Sequence, residues 1–379
     1  MVRPISKEVT AMEYQEAESP IQGDTLAVIL SHVPMIDLVP ASHVSATWRR
    51  AVFSSLRHLN RPKTWLIVHT QATRSPYTTT THAYDHRSDL WIEIGQPPIK
   101  YVSALRFSHS NLLYMLSPAR LSFSFDPLHL TWHHVAAPLV WRSDPIVAAV
   151  GRQLVVAGGT CDFEDDPLAV EIFDLESGKW DSCESMPALL KDSSASTWLS
   201  IASNDRNLFV TEKSSGVTHT FDPETKTWLG PYDLRPDPCV FCSTISFSED
   251  RLILIGLTGD MDNVSELKLW EVNRESFDCE ELGEMPRELL KKLRGETLQL
   301  SSIGVCSAGD IVHVYNPSMA DEVFVCEIAN GSCTWRSITN WVAIDRNPME
   351  RLVFSCSNVE LDVVHEALKS GDRKFTPLQ

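Results

Sequence analysis

The residues whose types and spacing could do chemistry are few, and most fail on inspection. Asp162, Glu164 and Asp166 alternate as the first ligands of a calcium loop do. The sixth position, where such a loop needs a glycine turn, is Pro167, and Phe173 stands where its bidentate glutamate belongs. Cys239 and Cys242 have zinc-knuckle spacing. Three steps along a strand send side chains to opposite faces, and no second pair completes a set, so packed thiols are the better account. His133 and His134 open an outer strand without a carboxylate partner, which gives them an edge or packing role. Neither a phosphate-cradling glycine loop nor a GxSxG nucleophile turn is present. The reading is of a chain with no catalytic residue, metal or cofactor of its own.

Charge offers recognition instead. Asp162, Glu164, Asp165 and Asp166 form an acidic cluster. Arg287, Lys291, Lys292 and Arg294 form a basic one, in a segment whose Leu289, Leu290 and Leu293 give it a helical apolar side. Complementary potential of this kind serves partner choice. Asp162, Glu164, Asp165, Lys291, Lys292 and Arg294 are the candidate client contacts, with an ordinary solvated rim as the alternative.

The elements that would carry these clusters repeat. An aromatic residue is followed seven positions later by tryptophan, about every fifty residues: Tyr84 with Trp91, Phe125 with Trp132, Phe173 with Trp180, Phe221 with Trp228. Trp270 with Phe277 and Ile328 with Trp335 are weaker copies. Short apolar strands precede each pair, so the period predicts a mainly-β propeller of four-stranded blades. The copy from Ile146 to Pro187, with Gly158-Gly159 closing its second strand, resembles a kelch motif. In the first copy Trp65 to His69 reads as a second strand and the innermost is missing. Arg351 to Cys356 can fill that gap, because an open strand edge is avoided. Six blades closed by a C-terminal strand is the reading, with five or seven as alternatives. Beyond it, Leu361, Val364, His365 and Leu368 repeat a helical stripe. If strands alternate, the connections after second and fourth strands share one face. They are the long ones: 71–81, 160–167, 258–264, 286–298 and 341–349, so the client site is expected there.

Composition sets the limits. The 379 residues carry a formal charge of −17, which disfavours phosphate backbones and anionic membranes as partners. A basic or neutral protein is the expected client. Nine scattered cysteines and no charged-then-apolar opening segment point to a reducing cytosol or nucleus. No apolar run reaches the length of a membrane span. Residues 1 to 19, with Glu8, Glu13, Glu16 and Glu18, read as a disordered acidic lead.

From about 20 to 60 the period becomes helical. Leu26, Ile29, Leu30 and Val33 form one stripe, entered through Gly23-Asp24 and ended at Pro34. A short link with Leu38 and Pro40 follows, then Val44, Trp48, Val52 and Leu56 step by fours. Forty such residues cannot bury all of their apolar surface alone. Ile21, Asp24, Leu26, Ile29, Leu30, Val33, Pro34, Asp37-Leu38, Val44 and Trp48-Arg49 resemble the F-box in order and spacing, with Gln22 where that family usually has proline. The resemblance implies docking to a Skp-type adaptor, and through it to a cullin-RING ubiquitin ligase. The implied contacts are Ile21, Leu26, Ile29, Leu30, Val33, Pro34, Leu38, Val44 and Trp48, some of which must instead hold the helices together. A helical cap over the propeller is the alternative.

The layout is then a lead (1–19), an F-box (20–60), a kelch-type propeller (61–359) and a C-terminal helix and tail (360–379). Trp65 to Gln71 and His82 to Asp85 extend the resemblance to plant F-box/kelch-repeat proteins, some of which direct phenylpropanoid and flavonoid enzymes, chalcone synthase among them, to degradation. That implies a non-catalytic adaptor that captures a protein client for ubiquitination. A kelch scaffold without ubiquitin transfer, and a propeller enzyme such as the copper oxidases with their internal Tyr, His and Cys, are the alternatives.

Overall fold

The apolar stripe of residues 26–33 becomes a helix in the computed structural model, which describes residues 23–95, 101, 103–108, 111–160, 166–295, 299–344, 346–369, 371 and 373–378. The acidic lead, Ile21, Asp162, Glu164 and Asp165 lie outside the described residues. The chain forms two compact units, one through Arg61 and one from Pro62 onward.

The first unit contains α1 (Asp24–Leu30), α2 (Met35–Ala41) and α3 (Ala46–Ser54), the last running on into a π turn, Ser55–Leu59. The link expected around Leu38 and Pro40 is itself helical. Met35, Ile36, Leu38, Val39 and Ala41 are all buried, and that burial outweighs the proline near its end. Ser45 caps α3, its Oγ accepting from the Trp48 N–H at 3.2 Å. Asn60 Nδ2 donates to the Ser31 carbonyl at 2.9 Å, tying the end of the unit to the end of α1.

The second unit is a six-bladed kelch-type propeller. Blade 1 contains β1 (Thr64–Ala72), β2 (Thr79–Asp85) and β3 (Leu90–Gly95); blade 2 contains β4 (Arg106–Phe107), β5 (Leu113–Ser117), β6 (Arg120–Ser124) and β7 (His133–Ala136). Blade 3 is β8 (Ile146–Val150), β9 (Gln153–Ala157), β10 (Val170–Asp174) and β11 (Lys179–Ser182). Blade 4 is β12 (Leu199–Ser203), β13 (Leu208–Glu212), β14 (Val217–Asp222) and β15 (Thr227–Asp233). Blade 5 is β16 (Val240–Ser248), β17 (Arg251–Gly259), β18 (Val264–Val272) and β19 (Cys279–Glu284), followed by α4 (Arg287–Arg294). Blade 6 is β20 (Gly304–Ala308), β21 (Ile311–Asn316), β22 (Met319–Ala329) and β23 (Ser332–Thr339), followed by α5 (Trp341–Ile344). The chain then returns to blade 1 as β24 (Glu350–Asn358), the innermost strand, antiparallel to β1 from Thr64↔Asn358 to Ala72↔Glu350. After α6 (Leu361–Lys369), β25 (Lys374–Pro377) pairs with β3 as a fifth strand, within the segment read from the sequence as a tail. Among the described residues no helix is long and apolar enough to cross a membrane.

The seven-residue spacing has a backbone cause. In five blades the Oδ1 of Asp85, Asp126, Asp174, Asp222 or Asn273 accepts the backbone N–H two residues on. Four residues beyond each comes a positive φ, at Asp89, Leu130, Gly178, Lys226 and Phe277. This Asx turn places the residue before the Asp opposite the one six after it. Tyr84 thus faces Trp91, Phe173 faces Trp180 and Phe221 faces Trp228, with ring centroids 5.3, 5.2 and 4.8 Å apart. Each of these indoles donates to a carbonyl at the exit of the preceding blade: Trp91 to Thr339, Trp180 to Ala136, Trp228 to Glu184. The repeat is therefore a clasp between blades. The other three copies form no such pair. Phe125 packs on Phe123 and Trp132 on Tyr101; Trp270 faces Glu281 beside a bulge, and Trp335 faces Cys326.

Two buried polar devices were invisible in the sequence. Arg142, fully buried before β8, donates to the Gly158 and Ala169 carbonyls and to Glu171 at 3.0 Å. Glu171 also accepts the Leu139 and Val140 N–H groups. Removing one member of such a pair strands a charge, so Glu171→Ala is expected to cost about 3–5 kcal/mol. An unfolding free energy from urea melts that changes by less than about 1 kcal/mol, at unchanged slope, would contradict this reading. At Gly158 and Gly159, both with positive φ, a Cβ would come within 2.3 Å of the Ser194 and Asp144 backbones, which accounts for the glycine pair.

His69, on β1, is fully buried, with Nδ1 3.0 Å from Thr81 Oγ1 and Nε2 3.5 Å from Ser355 Oγ of β24. Burial, and then nearby His82, push its pKa from 6.5 down to about 3. Because the folded value is depressed, the unfolded chain takes up the proton first. The contribution is whole above pH 6.5 and is lost as pH falls toward 3, at about 1.4 kcal/mol per pH unit. Wild type is expected to lose stability between pH 7 and 5, and His69→Gln to lose about 2 kcal/mol less over the same range. Equal pH slopes in urea melts of the two proteins would contradict it.

Candidate functional site

The helical unit sorts the residues that the sequence left undivided between core and interface. Leu26, Leu30 and Leu38 are buried and pack the helices together, α1 against α3 and its π turn, α2 against α3. Val33, Pro34 and Trp48 are half-buried. Ile29 and Val44 are exposed, joined by Val28, Phe53 and Leu59, which the motif did not single out. Five large apolar side chains open to water on about forty residues is a surface suited to a partner.

On the propeller, antiparallel alternation places the connections after second and fourth strands on one face. The exposed large apolar residues of this unit gather there: Leu139, Trp141, Leu189, Trp198, Met261, Trp341, Ile344 and Met349. The opposite connections carry Leu175 alone among the described residues, and Leu229 lies on an outer strand. Trp198 is 59% and Trp341 61% exposed, and tryptophan is the side chain most often found at the energetic centre of an interface. Sequence reading chose this face from loop length. It missed the tryptophans because they sit singly, one per connection.

The same face holds the mouth of the central channel, where Arg106 pairs with Asp144, Lys213 is drawn to the same carboxylate and Arg351 lies near Arg106. Arg106, at the start of β4, pairs with Asp144, which also accepts from Ser196 Oγ and from Thr197 N and Oγ1. Burial would raise the Asp144 carboxyl, but the Ser196 and Thr197 hydrogen bonds and the Arg106 guanidinium outweigh it and hold it below its ordinary value. Arg351, at the start of β24, donates to Gln71 Oε1 and to the Leu105 carbonyl. Lys213, just past β13, donates to the Thr197 carbonyl at 2.9 Å, and burial pushes its ammonium down. Below this mouth the inner strands enclose a cavity of about 210 Å³ bordered by Tyr114, Ser200, Lys213, Thr244, Cys306 and Tyr315. These six cavity residues come from four blades, so no local sequence pattern signals them.

The charged clusters read from the sequence fare differently. Lys291 and Lys292 lie on the exposed side of α4 while Leu290 and Leu293 are buried. Lys292 pairs with Glu322 at 3.2 Å, and Arg294 Nη1 donates to the Val264 carbonyl at 3.4 Å, so both are partly engaged in the fold. The 258–264 connection is shorter than expected, since β17 and β18 extend to Gly259 and from Val264. Cys239 is exposed and Cys242 buried, as opposite faces require. His133 stacks on Phe123 and His134 reaches Ser122, both at the blade edge.

No family model matches the chain. It is 47% identical over 363 residues to an F-box/kelch-repeat protein of Arabidopsis thaliana, covering 92% of each chain. It is 23% identical over 157 residues to kelch repeat and BTB domain-containing protein 8 of Rattus norvegicus, covering 41% of this chain and 27% of that one. Among solved structures, a nidogen/laminin complex aligns at TM-score 0.42 and 11% identity, covering 77% of this chain and 98% of that chain.

Proposed function

The chain belongs to the F-box/kelch-repeat protein family, and from that premise we propose that it is the substrate-recognition subunit of a Skp-cullin-F-box ubiquitin ligase. Residues 20–60 dock the Skp-type adaptor and the propeller captures a protein client. The observation that carries this reading is the pairing of two uncovered apolar surfaces, one on the helical unit and one on a single face of the ring. Members of this family are non-catalytic adaptors, and holding client lysines near a charged conjugating enzyme raises their effective concentration without a nucleophile in this chain.

Helix-in-groove burial of Ile29, Val44 and their exposed neighbours supports the adaptor contact. Trp141, Trp198 and Trp341 around a cationic mouth support client capture through aromatic anchors, with the mouth fixing orientation. Lys291 and the acidic cluster at 162–165 belong to the outer part of the same proposal. Clients among flavonoid and phenylpropanoid enzymes, chalcone synthase included, and action in the cytosol or nucleus, rest on family resemblance.

The test is affinity capture of the full chain from plant cells with the proteasome inhibited. Proteins enriched with wild type are expected to fall at least about tenfold with Trp198→Asp/Trp341→Asp and to persist with Leu175→Asp. Adaptor recovery is expected to be equal in all three. Client recovery that survives the tryptophan changes but is lost with Leu175→Asp would move the site to the opposite face. Chalcone synthase absent from every capture, and stable in cells overproducing the chain, would remove it from the client class.

A further inference from the structure

The seam where the ring closes contains an unassigned cluster of soft ligands. Cys306 lies on β20 of blade 6, directly across the ladder from His313 on β21. Cys356 lies on the closure strand β24 of blade 1. One ligand atom from each of the three lies within 4.8 Å of the others, and all three side chains are at most 2% exposed. Among the described residues this is the one group of three or more such side chains that could converge on an ion. His313 Nε2 is engaged by His86 Nε2 at 2.8 Å, while His313 Nδ1 is a buried atom without a hydrogen-bond partner.

We propose that Cys306, Cys356 and His313 Nδ1 bind one thiophilic d¹⁰ metal ion that clamps blade 6 to the closure strand. Bond lengths of about 2.3 Å to sulfur and 2.0 Å to nitrogen put the donor atoms of such a site about 4 Å apart. Closing from the observed separations therefore takes movements below about 1 Å. Two thiolates and one imidazole select zinc or monovalent copper over harder ions. No fourth His, Cys, Asp or Glu joins them among the described residues, and a dry three-donor site suits monovalent copper better than zinc, whose structural sites take four. Cys306 also borders the central cavity, which provides an entry path.

Proton positions follow. Arg336 can only donate, and its Nη2 contacts His86 Nδ1, so in the empty site His86 donates a hydrogen bond from Nε2–H to His313 Nε2, and His313 carries its proton on Nδ1. An ion on His313 Nδ1 reverses this relay. His313 then donates from Nε2, His86 carries its proton on Nδ1, and Arg336 turns away toward Asp89, 3.8 Å from its Nη1. Each imidazole keeps one proton through this exchange, and only the two thiol protons are replaced by the ion, so loading releases protons.

The experiment is metal analysis of the full-length chain, expressed in zinc- or copper-supplemented medium, purified under reductant and freed of loose ions by gel filtration. About one equivalent of copper or zinc is expected, falling at least about tenfold in Cys306→Ser/Cys356→Ser and in His313→Gln. X-ray absorption of the wild type, which needs no variant to fold, is expected to read two sulfurs and one nitrogen, with or without a light fourth donor that would identify zinc with water. A wild-type protein that folds with under about one-tenth equivalent of either metal overturns the proposal. So does metal retained in the double variant, an oxygen-dominated first shell, or a Cys306–Cys356 disulfide found by peptide mapping without reductant.

Discussion

Ending the chain at Met349 is expected to abolish cooperative folding of the propeller. That truncation removes β24, which pairs with β1 along its whole length, and β25, which covers the outer edge of the same blade. Alternation along β24 sends its side chains to two seams. Leu352, Phe354 and Cys356 join the cluster shared with blade 6, and Val353 joins the cluster shared with blade 2. Phe354 also stacks on Tyr315 of β21 at a centroid distance of 4.0 Å. Each fully buried large side chain is worth about 1.5–3 kcal/mol. Losing several at once removes much of a total stability of about 5–15 kcal/mol. Blades that lean only on their neighbours cannot redistribute that loss. Phe354→Ala, the milder change, is expected to cost about 3–5 kcal/mol. Circular dichroism melts would check both. A truncated chain that melts cooperatively within a few degrees of full length would contradict the closure.

The second large effect concerns the helical unit, where core and surface changes are expected to separate. Ile29→Asp/Val44→Asp alters exposed positions and is expected to weaken adaptor binding by at least about 2 kcal/mol, roughly thirtyfold, with the melting curve unchanged. Leu30→Ala alters a buried position and is expected to destabilise the unit by about 2–5 kcal/mol, with any loss of binding following from that. Binding measured by calorimetry beside hydrogen exchange of residues 24–59 distinguishes the two. Full adaptor affinity in the Ile29/Val44 variant would remove these side chains from the interface.

Much of this architecture was legible because it is periodic. The copy from Ile146 to Pro187 folds as the blade its pattern predicts, β8 to β11, since its first apolar run is closed by glycine and its third by the Asp of an Asx turn. The missing first strand and its replacement from the C-terminus followed from the same count. What escaped was aperiodic. α2 has the same length as α1 but carries Pro40 inside it, a residue that normally breaks a helix, so Leu38 read as a link. Phe277 has the repeat's spacing but takes the positive-φ place of its turn, where it stacks on Tyr232 of blade 4. Arg142 and Glu171 are 29 positions apart in one buried pair, and Arg106, Lys213 and Arg351 meet at the channel mouth from different blades. Such groups are joined only by the closure of the ring, and nothing local announces them. The helical unit's candidate contacts were recognisable as a motif, but spacing alone could not tell buried Leu30 from exposed Ile29 beside it.

The most direct test of the adaptor account is a titration of purified Skp-type adaptor into the folded full-length chain by calorimetry. One-to-one binding with a dissociation constant below about 1 μM, that is, tighter than about −8 kcal/mol, is the result the account predicts. No heat at tens of micromolar, from a chain whose propeller melts cooperatively, would contradict it and leave a kelch scaffold without ubiquitin transfer.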